Sequence, residues 1–129
     1  MSNKRINISS NSPWEAIVGY SRAVKIDNTI FVSGTTATLD GVIVGINDPY
    51  KQTIQCIKNI ETALTKANAS LNDVVRIRIY VVNIDDWEII GKGLSQYFKD
   101  IKPAATMVEV NKLITPEILV EIEADAYFS

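Results

Sequence analysis

The longest periodic segment of the chain predicts a helix over residues 48–67. Asp48 can cap the free amides of the first turn, and Pro49 suits the first helical position because no amide hydrogen is needed there. Apolar residues then recur at spacings of three and four, which marks one buried helix face. That face carries Tyr50, Ile54, Ile57, Ile60, Leu64 and Ala67.

Two later segments alternate with a period of two, which is typical of a strand whose two faces differ. The first spans residues 74–82 and alternates Val75, Ile77, Ile79 and Val81 with Arg76, Arg78 and Tyr80. The second spans residues 119–127 and alternates Val120, Ile122 and Ala124 with Glu121, Glu123 and Asp125. Both segments are predicted to be strands of one sheet.

A hairpin is predicted in the first quarter of the chain and a second helix in the last third. Residues 23–26 and 29–32 are short apolar runs separated by Asp27-Asn28, a pair that suits the positive φ of a tight turn. The helix covers about residues 86–99, although two internal glycines each cost roughly 1 kcal/mol relative to alanine. A further strand is predicted at residues 106–110, and residues 42–44 are a short apolar run after the turn signal Asp40-Gly41.

The resulting order is β-β-α-β-α-β-β in a single domain over residues 1–129. It favours an α+β fold with one mixed sheet and two helices on one face. Apolar residues occur on both faces of the predicted strand at 74–82, so the two helices leave apolar surface uncovered. A subunit partner would bury that surface; the alternative is that these side chains lie at strand ends.

Composition is that of a globular protein, with 47% apolar and 22% charged residues. The net charge is −2 and the basic residues are scattered, so nucleic-acid binding is not indicated. No segment approaches the roughly 20 apolar residues of a membrane span, and the N-terminal segment lacks the apolar run of a signal peptide. The single cysteine, Cys56, fits a reducing compartment. We therefore expect a cytoplasmic protein in which Cys56 is a small buried hydrophobe.

The chain contains no histidine, which removes several kinds of catalytic site. Ser-His-Asp and Cys-His nucleophile systems are excluded, as are zinc sites built on histidine. One cysteine is too few for a thiolate metal site, so neither a metal nor another cofactor is indicated. Carboxylate, tyrosine, lysine, arginine, hydroxyl and backbone amide groups remain for binding and catalysis.

Four segments taken together resemble one known family. They are residues 12–24, which contain GYSRAV; residues 30–35, IFVSGT; residues 74–81, VVRIRIYV; and residues 103–110, PAATMVEV. In this order and spacing they resemble the Rid family, also called the YjgF or endoribonuclease L-PSP family. The resemblance covers nearly the whole chain.

The resemblance implies a chorismate-mutase-like α+β fold and a homotrimer in which the sheets form a central barrel. It implies small-molecule clefts between the subunits. For the best-known branch it also implies hydrolysis of reactive 2-imino acids to 2-oxo acids and ammonia. That reaction needs one group that holds the substrate carboxylate and another carboxylate that directs water.

The resemblance also implies a set of site residues. Glu121 would direct the attacking water, although its alternation with Ile122 alone indicates an exposed strand residue. Tyr20 would line the pocket, or alternatively serve only in packing. The remaining ligand-binding positions are Ser33, Gly34, Arg78, Ala105, Thr106 and Met107.

Two positions depart from the family pattern. Ala105 stands where the deaminase branch carries an arginine, and Gly91 aligns with a pocket asparagine on the second helix. A charge-assisted arginine–carboxylate contact contributes about 1.5–3 kcal/mol. Its loss would lower kcat/KM for an imino acid by one to several decades.

Another arginine could replace the missing one. Arg22 lies two residues after Tyr20, and Arg78 belongs to an Arg-x-Arg-x-Tyr pattern found in the resembling subgroup. The simpler interpretation of Arg76 and Arg78 is a solvated strand face, or one paired with the acidic residues of the last strand.

These observations lead to three functional hypotheses. The first is a Rid-family protein that binds a small metabolite, with or without hydrolysis of an imine- or enamine-type compound. Because of Ala105, it is not expected to be a standard 2-iminobutanoate or 2-iminopropanoate deaminase. The second is a non-enzymatic metabolite sensor or chaperone-like trimer. The third, an endoribonuclease, is disfavoured by the acidic balance and the absence of histidine.

Overall fold

A computed structural model describes residues 4–129, and the alternating segments lie in a six-stranded sheet. Residues 1–3, part of the basic N-terminal segment, are outside the described range. The strands are β1 (Arg5–Ile8), β2 (Ala23–Ile26), β3 (Thr29–Thr35), β4 (Thr38–Leu39), β5 (Val42–Ile43), β6 (Val74–Val81), β7 (Ala104–Glu109) and β8 (Val120–Tyr127). The α-helices are α1 (Pro13–Val18), α2 (Pro49–Lys66) and α3 (Trp87–Phe98).

The sheet has the strand order β1-β2-β3-β8-β6-β7. Neighbouring strands are antiparallel except β6 and β7, which run parallel because the chain crosses over through α3 between them. β4 and β5 pair with each other in a separate ribbon. The predicted α+β class with one mixed sheet is confirmed, and β8 lies inside the sheet between β3 and β6.

α2 is the predicted amphipathic helix. The Asp48 side chain accepts a 3.0 Å hydrogen bond from the Lys51 amide, and Pro49 occupies the first turn. The helix packs against α3, β3 and β8. Its buried residues are Gln52, Thr53, Cys56, Ile57, Ile60, Ala63 and Leu64. Within residues 4–129, no helix is both long and apolar enough to cross a membrane.

The two faces of the sheet differ as the alternation predicts. On β8, Val120, Ile122 and Ala124 are buried against the helices. The intervening acidic residues lie on the opposite face, together with exposed apolar side chains. Phe31 on β3 is 48% exposed and Val108 on β7 is 41% exposed. The helices therefore cover one face only.

β6 contains a bulge that shifts its side-chain alternation. The register with β8 changes between Val74 and Arg76, and a bulge of this kind adds one residue to one strand. Val74 is consequently buried, whereas Val75 is 51% exposed. The predicted placement of Val75 with the buried residues is wrong, and the alternation is correct from Ile77 onward.

The predicted order lacks two N-terminal elements, the strand β1 and the helix α1. β7 was predicted, but it begins two residues earlier than expected. Three of the four residues of β1 are exposed, so the segment shows little apolar alternation. α1 has six residues and buries only Glu15. Its apolar Trp14, Ile17 and Val18 are exposed, so no helical period points inward.

One buried side chain joins α2 to two loops. Gln52 is fully buried; its Nε2 donates to the carbonyls of Gly45 (3.1 Å) and Glu117 (2.8 Å). Its Oε1 accepts a 2.8 Å hydrogen bond from the Leu119 amide. This residue therefore holds the segment that leads into β8.

Replacing Gln52 should destabilise the fold strongly. Gln52→Met leaves the Glu117 carbonyl and the Leu119 amide without this partner, while the Gly45 carbonyl keeps its bond from the Asp48 amide. Each unsatisfied buried group costs about 1–3 kcal/mol. We expect the free energy of unfolding to fall by at least about 2 kcal/mol in urea titrations at fixed protein concentration. Lys58→Met, at an exposed position of the same helix, is the control. Equal stability of the two variants would contradict this role.

Candidate functional site

The centre of the candidate site is a close contact between β3 and β8. Their register is irregular between Val32 and Thr35, so Ser33 and Gly34 depart from regular pairing. A Cβ atom at position 34 would overlap Oε2 of Glu121. The Glu121 carboxylate can therefore lie over the Gly34 backbone only because residue 34 has no side chain.

Ser33 holds this irregular segment to the end of the first loop. Its hydroxyl donates a 2.7 Å hydrogen bond to the Ser21 carbonyl, and its amide donates a 3.0 Å bond to the Arg22 carbonyl. The predicted ligand-binding position Ser33 thus lies beside Gly34. Its hydroxyl already donates its hydrogen to the Ser21 carbonyl, so it can only accept a hydrogen bond from a ligand.

Arg22 approaches Gly34 from the side opposite the β3–β8 pairing. Its Nη2 donates to the Gly34 carbonyl, and its Cζ lies 6.0 Å from the centroid of the Tyr20 ring. Its Nε is buried and has no hydrogen-bond partner within residues 4–129. In the same range the ion pairs closer than 4.0 Å all belong to Arg78, so no carboxylate pairs directly with Arg22.

The electrostatic environment of Glu121 favours a protonated carboxyl. Burial raises the pKa of Glu121, the Arg22 cation lowers it, and the neighbouring Glu123 raises it, so that the net shift is upward. Burial lowers the pKa of Arg22, but an arginine remains cationic at neutral pH. Glu121 is therefore a carboxyl group whose ionisation lies closer to neutrality than that of an exposed glutamate, as a general acid or base requires.

α1 positions Tyr20 through Glu15. The carbonyl of Glu15 accepts hydrogen bonds from the amides of Gly19 (2.9 Å) and Tyr20 (3.0 Å), and Gly19 has the positive φ of a helix end. The Glu15 carboxylate is buried; it accepts a 3.1 Å bond from the Ser10 amide and another from the Ser10 hydroxyl. Burial raises the pKa of Glu15, but these bonds and the Arg22 charge bring it below the usual value.

Arg78 belongs to a separate polar network on the same sheet face. Its Nη1 lies 3.4 Å from Oε1 of Glu123 and 3.3 Å from Oδ2 of Asp125. The Tyr80 hydroxyl donates a 3.0 Å hydrogen bond to the same Glu123 oxygen. Burial and this hydrogen bond raise the pKa of Tyr80. These contacts correspond to the ion-paired strand face considered for Arg78, whose ligand-binding role stays a prediction.

The three predicted positions on β7 lie away from Glu121 within one subunit. β7 is an edge strand, and Thr106 pairs in register with Arg78 on β6. β6 separates β7 from β8, which places the two strands roughly 10 Å apart at the usual strand spacing. Tyr20, Ser33, Gly34 and Glu121 are thus brought together in one chain, and Ala105, Thr106 and Met107 are not.

Ala105 opens onto an apolar groove of about 270 Å³ between β7 and α3. Lys99 and Lys102 also line this groove. Its apolar wall is formed by Ile77, Leu94, Phe98, Pro103 and Ala105, and Gly91 lies on the helix side.

Glu15 was not among the residues selected from sequence, and Arg22 was considered only as a replacement for the missing arginine. A signal for Arg22 exists in the hairpin register: Ala23 pairs with Val32, so residue 22 must lie beside Ser33. Glu15 offers no comparable signal, because its burial depends on hydrogen bonds to Ser10 rather than on an apolar period.

Cys56 is not part of the site. It is fully buried on α2, and its Sγ donates to the Val120 carbonyl at 3.7 Å. Burial raises the pKa of the thiol well above its usual range, so the reactive thiolate does not form at neutral pH. Residues 4–129 contain no cluster of three or more acidic or cysteine side chains arranged to hold a metal ion.

The contact between Gly34 and Glu121 predicts a strong energetic coupling. Gly34 does not have a positive φ, so Gly34→Ala introduces a clash with Glu121 without backbone strain. We expect a loss of about 1–3 kcal/mol in the free energy of unfolding, as for other overpacked sites. In a Glu121→Ala background the same change should cost less than about 0.5 kcal/mol, because the clashing carboxylate is gone. Urea titrations of the four proteins measure the cycle, and equal costs in both backgrounds would refute the contact.

The proximity of Arg22 predicts how Glu121 titrates. Arg22→Met should raise the pKa of Glu121 further, because the cation that stabilises the carboxylate is lost while burial remains. Carboxyl ¹³C NMR measures this midpoint in each protein. The control is Arg76→Met, which removes an exposed arginine paired in register with Asp125. A midpoint that is the same in both variants would show that Arg22 does not act on Glu121.

Because the pKa of Glu121 is raised in the native state, folding favours its protonated form. Its contribution to stability is then fully present at low pH and is lost as the pH rises through the native pKa.

Comparison with known proteins gives one consistent result. The family model described as endoribonuclease L-PSP matches residues 10–128. A RutC family protein of Pyrococcus abyssi is 41% identical over 111 residues, which cover 84% of this chain and 85% of the relative.

Two solved structures share the whole fold. Rv2704 of Mycobacterium tuberculosis, described as a member of the YjgF/YER057c/UK114 family, superposes with a TM-score of 0.89 at 47% identity. The match covers 97% of this chain and all of Rv2704. YyfA of Yersinia pestis, described as a member of the conserved Rid family, gives a TM-score of 0.86 at 32% identity over 97% of this chain and all of YyfA.

Proposed function

The chain belongs to the endoribonuclease L-PSP family, also known as the YjgF or Rid family, and we propose that it hydrolyses the C=N bond of a small metabolite beside Glu121. The observation that carries this proposal is the half-buried carboxyl of Glu121 lying against the backbone of Gly34. A carboxyl group in this environment can exchange a proton with water next to a ligand.

Glu121 would act twice in the reaction. Starting from the protonated imine, the Glu121 carboxylate takes a proton from water while the water oxygen bonds to the imine carbon and the C=N electron pair moves to the nitrogen, giving a neutral carbinolamine. As a carboxylic acid it then passes that proton to the nitrogen. The carbon–nitrogen bond breaks while the hydroxyl oxygen forms the carbonyl and gives its proton to the departing ammonia, so that a carbonyl compound and ammonium leave and Glu121 is again a carboxylate. The raised pKa of Glu121 supports this double role because both protonation states are accessible nearer to neutral pH.

The rest of the cluster would bind and orient the ligand. Tyr20 is 38% exposed and so offers a ring face and a hydroxyl to a neighbouring molecule. Arg22 fixes the Gly34 carbonyl and keeps a positive charge near Glu121. Backbone polar groups next to Gly34 can be approached closely because the residue carries no side chain.

The complete pocket would lie between two subunits of a homotrimer. The sheet face that the helices leave uncovered carries exposed Phe31 and Val108, which a neighbouring sheet would bury. The edge strand β7 has no partner on its outer side within residues 4–129. A neighbouring subunit could therefore bring its Ala105, Thr106 and Met107 opposite Glu121, which a single subunit does not do.

The substrate would differ from the short 2-imino acids. Hydrolysis of 2-iminobutanoate and 2-iminopropanoate benefits from a cation that holds the carboxylate, and Ala105 carries none. The same substitution favours the second candidate function, a trimer that binds a metabolite without transforming it. The endoribonuclease named in the family description fits less well, because the chain has no histidine and a net charge of −2.

The decisive experiment compares Glu121→Gln with the native chain. Ammonia release from freshly generated imines is measured for 2-iminobutanoate, 2-iminopropanoate and a series of ketimines without a carboxylate. Glu121→Gln should lower kcat/KM by about 10²–10⁴, since a general acid or base contributes that factor. Binding of the carbonyl product should change little, because the substitution keeps the shape of the side chain.

Asp125→Asn is the matched control. It also changes a carboxylate to an amide, and it lies on the same face of the same strand as Glu121 but four residues away. Equal activity of Glu121→Gln and the native chain would rule out the catalytic role. Ligand binding without turnover in the native chain would instead establish the sensor hypothesis.

A further inference from the structure

Two glycines lie in the middle of α3, and the packing explains only one of them. A Cβ atom at Gly93 would lie 2.9 Å from Cγ2 of Thr53, so close packing of α3 on α2 excludes a larger residue. A Cβ atom at Gly91 would meet nothing within 4 Å. Gly91 also lacks the positive φ that would require glycine, although a helical glycine costs about 1 kcal/mol relative to alanine.

The space beside Gly91 is the groove that Ala105 faces. Gly91 has no side chain and Ala105 has only a methyl group. Gly91 stands on the helix side and Ala105 on the strand side of the same 270 Å³ space. The fold tolerates larger side chains at Gly91, so neither the backbone nor the core accounts for the groove.

The walls of the groove define what fits there. Ile77, Leu94 and Phe98 present hydrocarbon, and Lys99 and Lys102 can extend their ammonium groups into water while their stems line the space. A branched alkyl chain or a phenyl ring can lie against these hydrocarbon walls.

The position of the groove connects it to the edge strand. Ala105 belongs to β7, whose outer backbone groups are not paired within residues 4–129. An apolar space next to a few free backbone donors and acceptors is the usual composition of a small-molecule site. A ligand can place its apolar part against Ala105 and its polar part along β7.

We propose that this groove binds an uncharged alkyl or aryl substituent of the metabolite, so that the substrate class is a ketimine or enamine with an apolar side group near Ala105. This inference rests on the proposed function, in which β7 of one subunit faces Glu121 of its neighbour. It assigns to Gly91 and Ala105 the selection of an apolar group instead of a carboxylate.

The test uses methyl ketones of increasing chain length, because they are stable products of ketimine hydrolysis. NMR titration should show that affinity rises about fourfold for each added methylene until the groove is filled. Gly91→Leu and Ala105→Phe fill the groove and should remove this dependence on chain length. Gly91→Ala is the conservative control; it should keep most of the dependence and unfold at the same or a higher temperature.

The outcomes separate this inference from the proposed function. Affinity that is independent of chain length, or a dependence that survives in Gly91→Leu, would overturn the apolar groove even if Glu121→Gln abolishes turnover. A dependence that persists in a protein without hydrolase activity would support the groove and refute the hydrolysis. Sedimentation of Gly91→Leu should match the native chain; a change in subunit assembly would show that a second copy fills the groove and would overturn the proposal.

Discussion

The alternation of β8 is the constraint on which the rest of the molecule depends. Because this strand lies inside the sheet and α2 packs on one of its faces, Val120, Ile122 and Ala124 must point toward the core. The residues between them are then forced onto the open face, whatever their charge. Glu121 reaches Gly34 for this reason, and Glu123 becomes available to Arg78 and Tyr80 in the same way. The site is a consequence of how the sheet is buried.

Sequence patterns predicted the parts of the fold that repeat over several residues. α2 and β8 were predicted because many positions follow one period, and the Asp48 cap marks a boundary directly. β1 and α1 are too short and too exposed to show such a period. Val75 was misplaced because a bulge changes the alternation without changing composition. Local irregularities depend on the partner strand, which the sequence of one segment does not contain.

The candidate site was predictable in the same partial way. The resemblance directed attention to Tyr20, Gly34 and Glu121, which are neighbours in the structure. It favoured Arg78 over Arg22 because of the Arg-x-Arg-x-Tyr pattern, which says nothing about the contacts of either side chain. The distinction comes from tertiary contacts: Arg78 is paired with Glu123 and Asp125, whereas Arg22 donates to Gly34.

Arg22 is also a poor replacement for a carboxylate-binding arginine at position 105. One of its terminal nitrogens already donates to the Gly34 carbonyl, and its Nε is buried, so a bidentate hold on a carboxylate is not available without breaking these contacts. A substrate carboxylate placed there would also approach Glu121, and the repulsion would raise the pKa of Glu121 beyond the shift that burial produces. The arrangement suits a ligand that brings no negative charge to Glu121, and the apolar wall of the groove at Ala105 suits an uncharged substituent. Both halves of the proposed pocket therefore select for the same kind of molecule.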